Sequence, residues 1–293
     1  MYKNKWIPIL FLLPTTLFLV VFLIYPFAAN IINSFYKSAH VLDPSPTFVG
    51  IDNYISLFTA KEFQQTLLNT LYLVGVVIVF QVGVALILAL MVNSIKKLNT
   101  FYKVSFFLPI VISATALGLM FNMFYEPRGG LFNQILAIFN LRPVVYKDVY
   151  NLPKMFAFIT APVVWQYVGF YFVIFLTGLS TIPNELLEAS EIDGATGLQK
   201  VFKIQLPMLQ NITRVVIVLA ITGTLKVFDL PHIINSGGRP NGRLHFLGTY
   251  MYEKAFVGNT NLGYAAALAV VLVFAGVGLS LIANLLFRPN KDI

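Results

Sequence analysis

Apolar and polar positions in this chain are not interleaved; they come in blocks. Six apolar blocks stand at 6–29, 67–92, 104–124, 155–179, 212–233 and 263–287, with polar connections between them. A helix needs about 20 mostly apolar residues to cross a hydrocarbon core of about 30 Å. The blocks are continuously apolar and lack the two-residue alternation of a membrane barrel. In lipid, backbone groups must be satisfied within the segment, which leaves helices. The pattern predicts an all-α integral membrane protein with about six transmembrane helices and no strands.

Two blocks need comment. The first follows Lys3 and Lys5, as a secretory signal would. It exceeds the usual apolar signal core of about 7–15 residues, and no small-residue cleavage site follows it, so it reads as a retained helix. The fifth has an uncharged apolar core of 11 residues, 215–225. At 1.5 Å per residue that core is roughly 17 Å long, too short to span a bilayer alone. Either Arg214 or Lys226 snorkels to an interface, or polar groups lie at membrane depth. In the second case Lys226 and Asp229, at i and i+3 on one helical face, border an internal cavity.

Composition agrees with the blocks. The chain is 58% hydrophobic and 11% charged, against about 25% charged residues in soluble domains. The net charge is +8. The cations sit between apolar blocks, with no basic stripe carrying interleaved aromatics, which argues for orientation in a membrane and against nucleic acid. With the N-terminus inside, ten of the 20 cations fall on each side. The short, basic N-terminal tail, 96–103 connection and C-terminal tail favour both termini inside. There is no cysteine, hence no thiol catalysis and no disulfide. His40, His232 and His245 lack metal-ligand spacing, and no Gly-x-x-x-x-Gly-Lys-Ser/Thr phosphate loop is present. No metal and no catalytic residue are expected.

The connection at 180–211 is ordered beyond the needs of a linker. Pro183 and Asn184 suit a helix start. Glu185 and Glu188 suit its positive end. Gly194 or Gly197 can take the left-handed conformation that ends a helix, and Thr196 can cap the next. Val201, Phe202 and Ile204 give the second piece an apolar face. The acidic residues Glu185, Glu188, Glu191 and Asp193 outnumber the nearby cations. A protein partner is therefore a better fit than a lipid surface, with an ordinary structured loop as the alternative.

The run Glu188-Ala189-Ser190, then Asp193-Gly194-Ala195, then Ile204-x-Leu206-Pro207 resembles the EAA loop of ATP-binding-cassette importer permeases. The spacing matches throughout; Ser190 replaces the second alanine, and Asn211 stands where many relatives carry proline. Segments 127–133, 235–240, 250–256 and 263–268, with Asn69 and Thr70, are similar to the carbohydrate-type permeases related to the large maltose-importer subunit. The resemblance implies a multi-pass permease in a prokaryotic cell membrane. It divides the chain into a first helix and extracytoplasmic loop at 1–66, a permease core at 67–287 with its cytoplasmic loop at 180–211, between the fourth and fifth spans, and a cytoplasmic tail at 288–293.

The same resemblance implies the partners: a cytosolic ATPase dimer that binds ATP and Mg, a second homologous permease subunit forming a heterodimer, an extracytoplasmic solute-binding protein, and membrane lipid. This chain itself would need no cofactor. Glu188, Ala189, Ser190, Asp193, Gly194, Ile204, Leu206 and Pro207 would form the ATPase-coupling element, with Glu188 facing a basic residue of the ATPase and Gly194 making the turn. The implied substrate is a sugar or oligosaccharide, moved by alternating access. Sugars are held by aromatic stacking and hydrogen bonds. The pathway candidates are accordingly Asn122 on the third span, Trp165, Gln166, Tyr167 and Tyr171 on the fourth, and Thr222, Lys226 and Asp229 on the fifth. Each could equally serve an interface belt or bind helix to helix. The competing readings are a non-sugar solute such as a glycerol phosphate or polyol, an ion-coupled secondary transporter, and a membrane scaffold.

Overall fold

A computed structural model of the chain describes residues 6–38, 43, 45–95, 99–146 and 151–286. Lys3, Lys5, His40, Lys96, Lys97, Lys147, Arg288, Lys291 and the 288–293 tail lie outside the described residues. The helices are α1 (Pro8–Asn33), α2 (Asp52–Thr59), α3 (Lys61–Asn93), α4 (Asn99–Val111), α5 (Ala114–Phe124), α6 (Leu131–Ile138), α7 (Leu152–Leu179), α8 (Asn184–Ile192), α9 (Gly197–Lys200), α10 (Gln210–Leu225), α11 (Asp229–Ile234), α12 (Leu247–Phe256) and α13 (Leu262–Leu286). Among the described residues, five helices are long and apolar enough to cross a membrane, or six if α4 and α5 count as one broken span.

Three expectations change. The block at 104–124 is not one straight helix: α4 and α5 meet at 92°. Ser113 is extended there (φ −60, ψ 141), and its Oγ accepts the Ala116 N–H, so a helix cap sits inside an apolar run. The second change is at the end of the fifth block. α10 stops at Leu225, and Lys226 and Phe228 are non-helical. Lys226 and Asp229 therefore do not share a helical face. Pro231 gives the physical reason: it has no N–H for the carbonyl of Val227 four residues back, and its ring would clash with that carbonyl in a continuous helix. The third is a two-residue antiparallel ladder, Tyr36–Lys37 against Thr47–Phe48, outside the apolar blocks.

The described residues form two compact units. The first comprises 1–64 and 251–274. In it, Asn53 donates to the carbonyls of Ser34 and Tyr36 at 2.8 and 2.9 Å, and Leu262 N donates to Ser38 O. The backbone crosses closely at Gly263, where an added Cβ would stand 1.7 Å from Tyr36 O. The most apolar stretch of α1 buries none of its residues, so its whole circumference is left for lipid or another protein.

The second unit comprises 65–250 and 275–293, and α7 is its axis. Phe172 and Phe175 on α7 are fully buried, with Ala85 and Ala89 of α3 in the same core. Lipid tails are as apolar as leucine, so packing holds such helices together, not expulsion of water. Small residues at the crossings serve that packing. At Gly169 of α7, a Cβ would lie 1.7 Å from Phe106 O of α4. At Gly178, a Cβ would lie 2.2 Å from Ile212 of α10 and 2.9 Å from Leu209.

Candidate functional site

The 180–211 connection is a hairpin built from local chemistry. α8 begins after extended Pro183. It ends at Asp193 with Gly194 at φ +76, where a side chain would strain the backbone. Gly194 N donates to Glu191 O and Ala195 N to Ser190 O, the paired bonds of a Schellman cap. Thr196 and Gln199 then form a reciprocal capping box at the start of α9, through bonds of 3.3 and 2.7 Å. Helical turns continue from α9 through Met208. Of the two candidate glycines, Gly194 is the one in the left-handed region; Gly197 starts α9.

One ion pair closes the hairpin. Lys200 Nζ lies 2.6 Å from Glu191 Oε1, joining α9 to α8. The hydrogen bond from Lys200, then its charge, holds the Glu191 carboxyl below its ordinary value. Glu191 is thus engaged internally. Glu188 and Asp193 are exposed and make no ion pair among the described residues. Ala189 is exposed, while Ser190 is buried with its hydroxyl donating to Leu187 O. Ile204, Leu206 and Pro207 are half-buried. Beside the acidic groups, Leu186, Leu198 and Phe202 are exposed, and Ile192 at 87% is more exposed than any other large apolar side chain described. The hairpin is capped at its turn, acidic and greasy at once. Its two ends come close together where Leu209 and Ile212 pack against Gly178.

The pathway candidates separate into groups. Gln166, Tyr167 and Tyr171 of α7 share one cavity of about 290 Å³ with Lys226 and Asp229. The break after α10 carries Lys226 and Asp229 to this wall, despite the lost helical face. Neither makes an ion pair or side-chain hydrogen bond among the described residues. Gln81, in the middle of apolar α3, and Thr224 line the same cavity. Sequence reasoning missed both, although a lone glutamine at mid-span is a signal in itself. Gln81 reaches Val163 O only at 3.5 Å, and Thr224 bonds back to Ala220 O at 2.7 Å.

Three candidates lie elsewhere. Asn122 donates to Ile233 O at 3.0 Å and accepts from Tyr146 Oη at 2.8 Å. It lines a separate polar cavity of about 750 Å³ with Glu126, Arg128 and Arg239. Trp165 meets Phe121 edge to face at 5.7 Å and faces an apolar groove. Thr222 is bonded to its own helix at Val218 O. The two described histidines do not converge: His232 stacks on Phe228, His245 bonds Thr249, and no group of three metal-ligating side chains occurs among the described residues.

A helical membrane unit with an exposed, capped hairpin and an internal cavity fits a permease, and the comparisons agree. Residues 81–288 match the family described as "Binding-protein-dependent transport system inner membrane component". The chain belongs to that family: it is the membrane-spanning permease subunit of an ATP-binding-cassette importer, not the ATPase. It is 34% identical to the probable ABC transporter permease protein YurN of Bacillus subtilis strain 168, over 99% of both chains. It is 30% identical to the arabinooligosaccharides transport system permease protein AraP of the same organism, over 96% of this chain and 88% of that protein. The fold matches a chain in the crystal structure of a bacterial alginate ABC transporter in complex with its alginate-pentasaccharide-bound periplasmic protein. The TM-score is 0.84 at 23% identity, covering 98% of this chain and 95% of that one.

Proposed function

We propose that this permease carries a sugar or oligosaccharide inward, and that the hairpin at 184–208 is the lever through which a cytosolic ATPase drives it. The observation that carries the reading is the hairpin itself: a doubly capped, ion-paired element with exposed Glu188, which has no ion pair among the described residues, and exposed Ile192 at its surface. A carboxylate beside exposed apolar groups suits a partner groove offering arginine and a greasy floor. In this reading Glu188, Ala189, Ser190, Asp193 and Gly194 dock, and Ile204, Leu206 and Pro207 pass the motion to α10. Both termini then lie inside, with 1–66 as the first span and its outer loop, 67–287 as the permease core, and 288–293 as the inner tail. ATP and Mg are bound by the ATPase dimer. A second, homologous permease subunit completes the pathway, and an extracytoplasmic binding protein delivers the solute.

The substrate is held in the 290 Å³ cavity. Tyr167 and Tyr171 offer ring faces, and Gln166, Gln81, Lys226 and Asp229 offer donors and acceptors for hydroxyls. A relative named for arabinooligosaccharides supports carbohydrate over other solutes. The test is reconstitution with the cognate ATPase, second permease and binding protein in proteoliposomes. Sugar-loaded binding protein should raise ATP hydrolysis, and labelled sugar should accumulate. Stimulation by a glycerol phosphate or polyol and not by sugars would overturn the substrate; uptake driven by an ion gradient without ATP would overturn the mechanism.

A further inference from the structure

Three buried side chains on the long helices carry polar groups that the protein leaves almost unspent, and they converge. Gln81 of α3 is 3% exposed, and Gln166 and Tyr171 of α7 are 6% and 5% exposed. All three line the 290 Å³ cavity. The Gln81 amide nitrogen reaches Val163 O only at 3.5 Å, beyond the usual range of about 2.7–3.2 Å. The Gln81 carbonyl oxygen, the Gln166 amide and the Tyr171 hydroxyl make no hydrogen bond among the described residues. Buried polar groups are nearly always paired, so three exceptions in one place ask for a common reason.

Packing has not sealed these groups. The sealed, unpartnered polar atoms among the described residues are Thr66 Oγ1, Asn99 Oδ1 and Ser280 Oγ. The two amides and the phenol open on the cavity instead. Between solutes water can serve them, and a solute that displaces the water has to return the same bonds. Charge is placed differently. Lys226 and Asp229 of the same cavity are exposed and of opposite sign. The buried polar lining is uncharged, and Thr224 within it already donates to Ala220 O. This chemistry selects. Each amide has a carbonyl oxygen that needs a donor and an NH2 that needs an acceptor, and the phenol can do either. A sugar hydroxyl supplies both in one group. An ionised carboxylate or phosphate supplies acceptors only, which leaves the amide oxygens unserved. It would also be buried without a buried cation beside it.

We propose that Gln81, Gln166 and Tyr171 are the specificity-determining residues of this cavity, and that they set it for neutral sugars against uronates and phosphate esters. The assignment rests on the reading of the cavity as the solute site, and it fixes the charge of that solute. The rival role for the same side chains is adhesion between helices, with Gln81 binding α3 to α7. The two roles differ in sign. Adhesion makes Gln81→Leu destabilising. An unspent buried amide makes the same substitution neutral or stabilising, because a desolvated group without a partner is removed.

The test uses the complex of this chain with its partner subunits in nanodiscs, without the binding protein, so that selection by the permease is read alone. Equilibrium binding is measured for labelled arabinobiose, maltose, digalacturonate and glycerol 3-phosphate. At least one neutral disaccharide should bind, and both anions should bind more weakly than it by about tenfold or more, the scale of one charged hydrogen bond. Gln81→Leu, Gln166→Leu and the volume-conserving Tyr171→Phe should each weaken binding of the neutral sugar about fivefold, the scale of one neutral hydrogen bond. The melting temperature of each variant complex should be unchanged or raised. An anion held as tightly as the neutral sugars would overturn the charge selection and leave the cavity as the solute site. A lowered melting temperature with sugar binding unchanged would overturn the assignment in favour of adhesion. Binding of neither class, or neutral binding indifferent to all three substitutions, would overturn the cavity as the solute site and the selection with it.

Discussion

The hairpin at 184–208 and the break at 226–229 both interrupt a run of helix, and they are made in opposite ways. In the hairpin every stopping signal lies within a few residues of the stop. Gly194 supplies the positive φ, Thr196 and Gln199 cap each other, and Lys200 reaches Glu191. At the break, Pro231 removes one N–H, and the rest is decided by neighbours from other helices. Gln81 comes from α3 and Gln166 from α7; together with Lys226 and Asp229 they wall one cavity. The hairpin has its geometry before it meets a partner. The cavity has none until α3, α7 and α10 have packed. In the proposed reading, the contact with the ATPase is a portable local motif, while the solute site is assembled from distant parts of the chain.

The widest contrast is between two glycines. Gly169 has ordinary backbone angles but no space, and Gly194 has space but a left-handed backbone. Gly169→Val forces α4 off α7 and should cost 3 kcal/mol or more, roughly the severe end of overpacking. Detergent-stable complex should be lost on size-exclusion chromatography; a monodisperse peak at wild-type yield would refute the crossing. Gly194→Val costs about 1–2 kcal/mol of local strain, leaving the membrane unit folded. Its effect should fall on coupling, with binding-protein-stimulated ATP hydrolysis no longer matched by uptake. Normal uptake in Gly194→Val and in Glu188→Lys would remove the hairpin from the mechanism.

The cavity should respond in the reverse sense. Lys226→Ala and Asp229→Asn should express at wild-type level and reduce uptake by about tenfold or more, on the scale of one charged hydrogen bond to substrate. Gln81→Leu should act in the same direction by less. Thr222→Ala, whose hydroxyl bonds only its own helix, should change nothing, so a loss there equal to that of Lys226→Ala would break the grouping. The smallest effect belongs to the surface pair. The Glu191 carboxyl is held below its ordinary value of 4.5. The pair's contribution is therefore complete above that value and is lost as pH falls through the lower, folded-state value. Glu191→Gln should lower the melting midpoint slightly at neutral pH, and the gap to wild type should close on acidification. A gap that widened in acid would contradict the pairing.

Legibility followed the range of the forces. Hydropathy located every long helix, because length and apolarity are properties of a single segment. Gly194 and Thr196 were legible for the same reason. The right angle between α4 and α5 was not, since Ser113 is one of several small polar residues, with Ser105 and Thr115, in a run that reads as continuous. Asn122, Trp165 and Thr222 were chosen on chemistry shared with Tyr167 and Lys226. They differ only in direction, and direction depends on which face each helix turns to its neighbours. Gln81 was passed over because nothing within α3 says that its side chain meets α7.

By itself the sequence determined a membrane-spanning helical chain with a capped hairpin whose spacing marks an importer permease. Both follow from interactions spanning fewer than about 30 residues. Only the tertiary structure decided which polar groups share a cavity, and that Lys226 and Asp229 reach the same cavity through a broken helix and not along a continuous one. Those outcomes depend on close crossings such as Gly169 on Phe106 and Gly178 on Ile212. They set helix rotation and depth, and no periodicity within one segment encodes them.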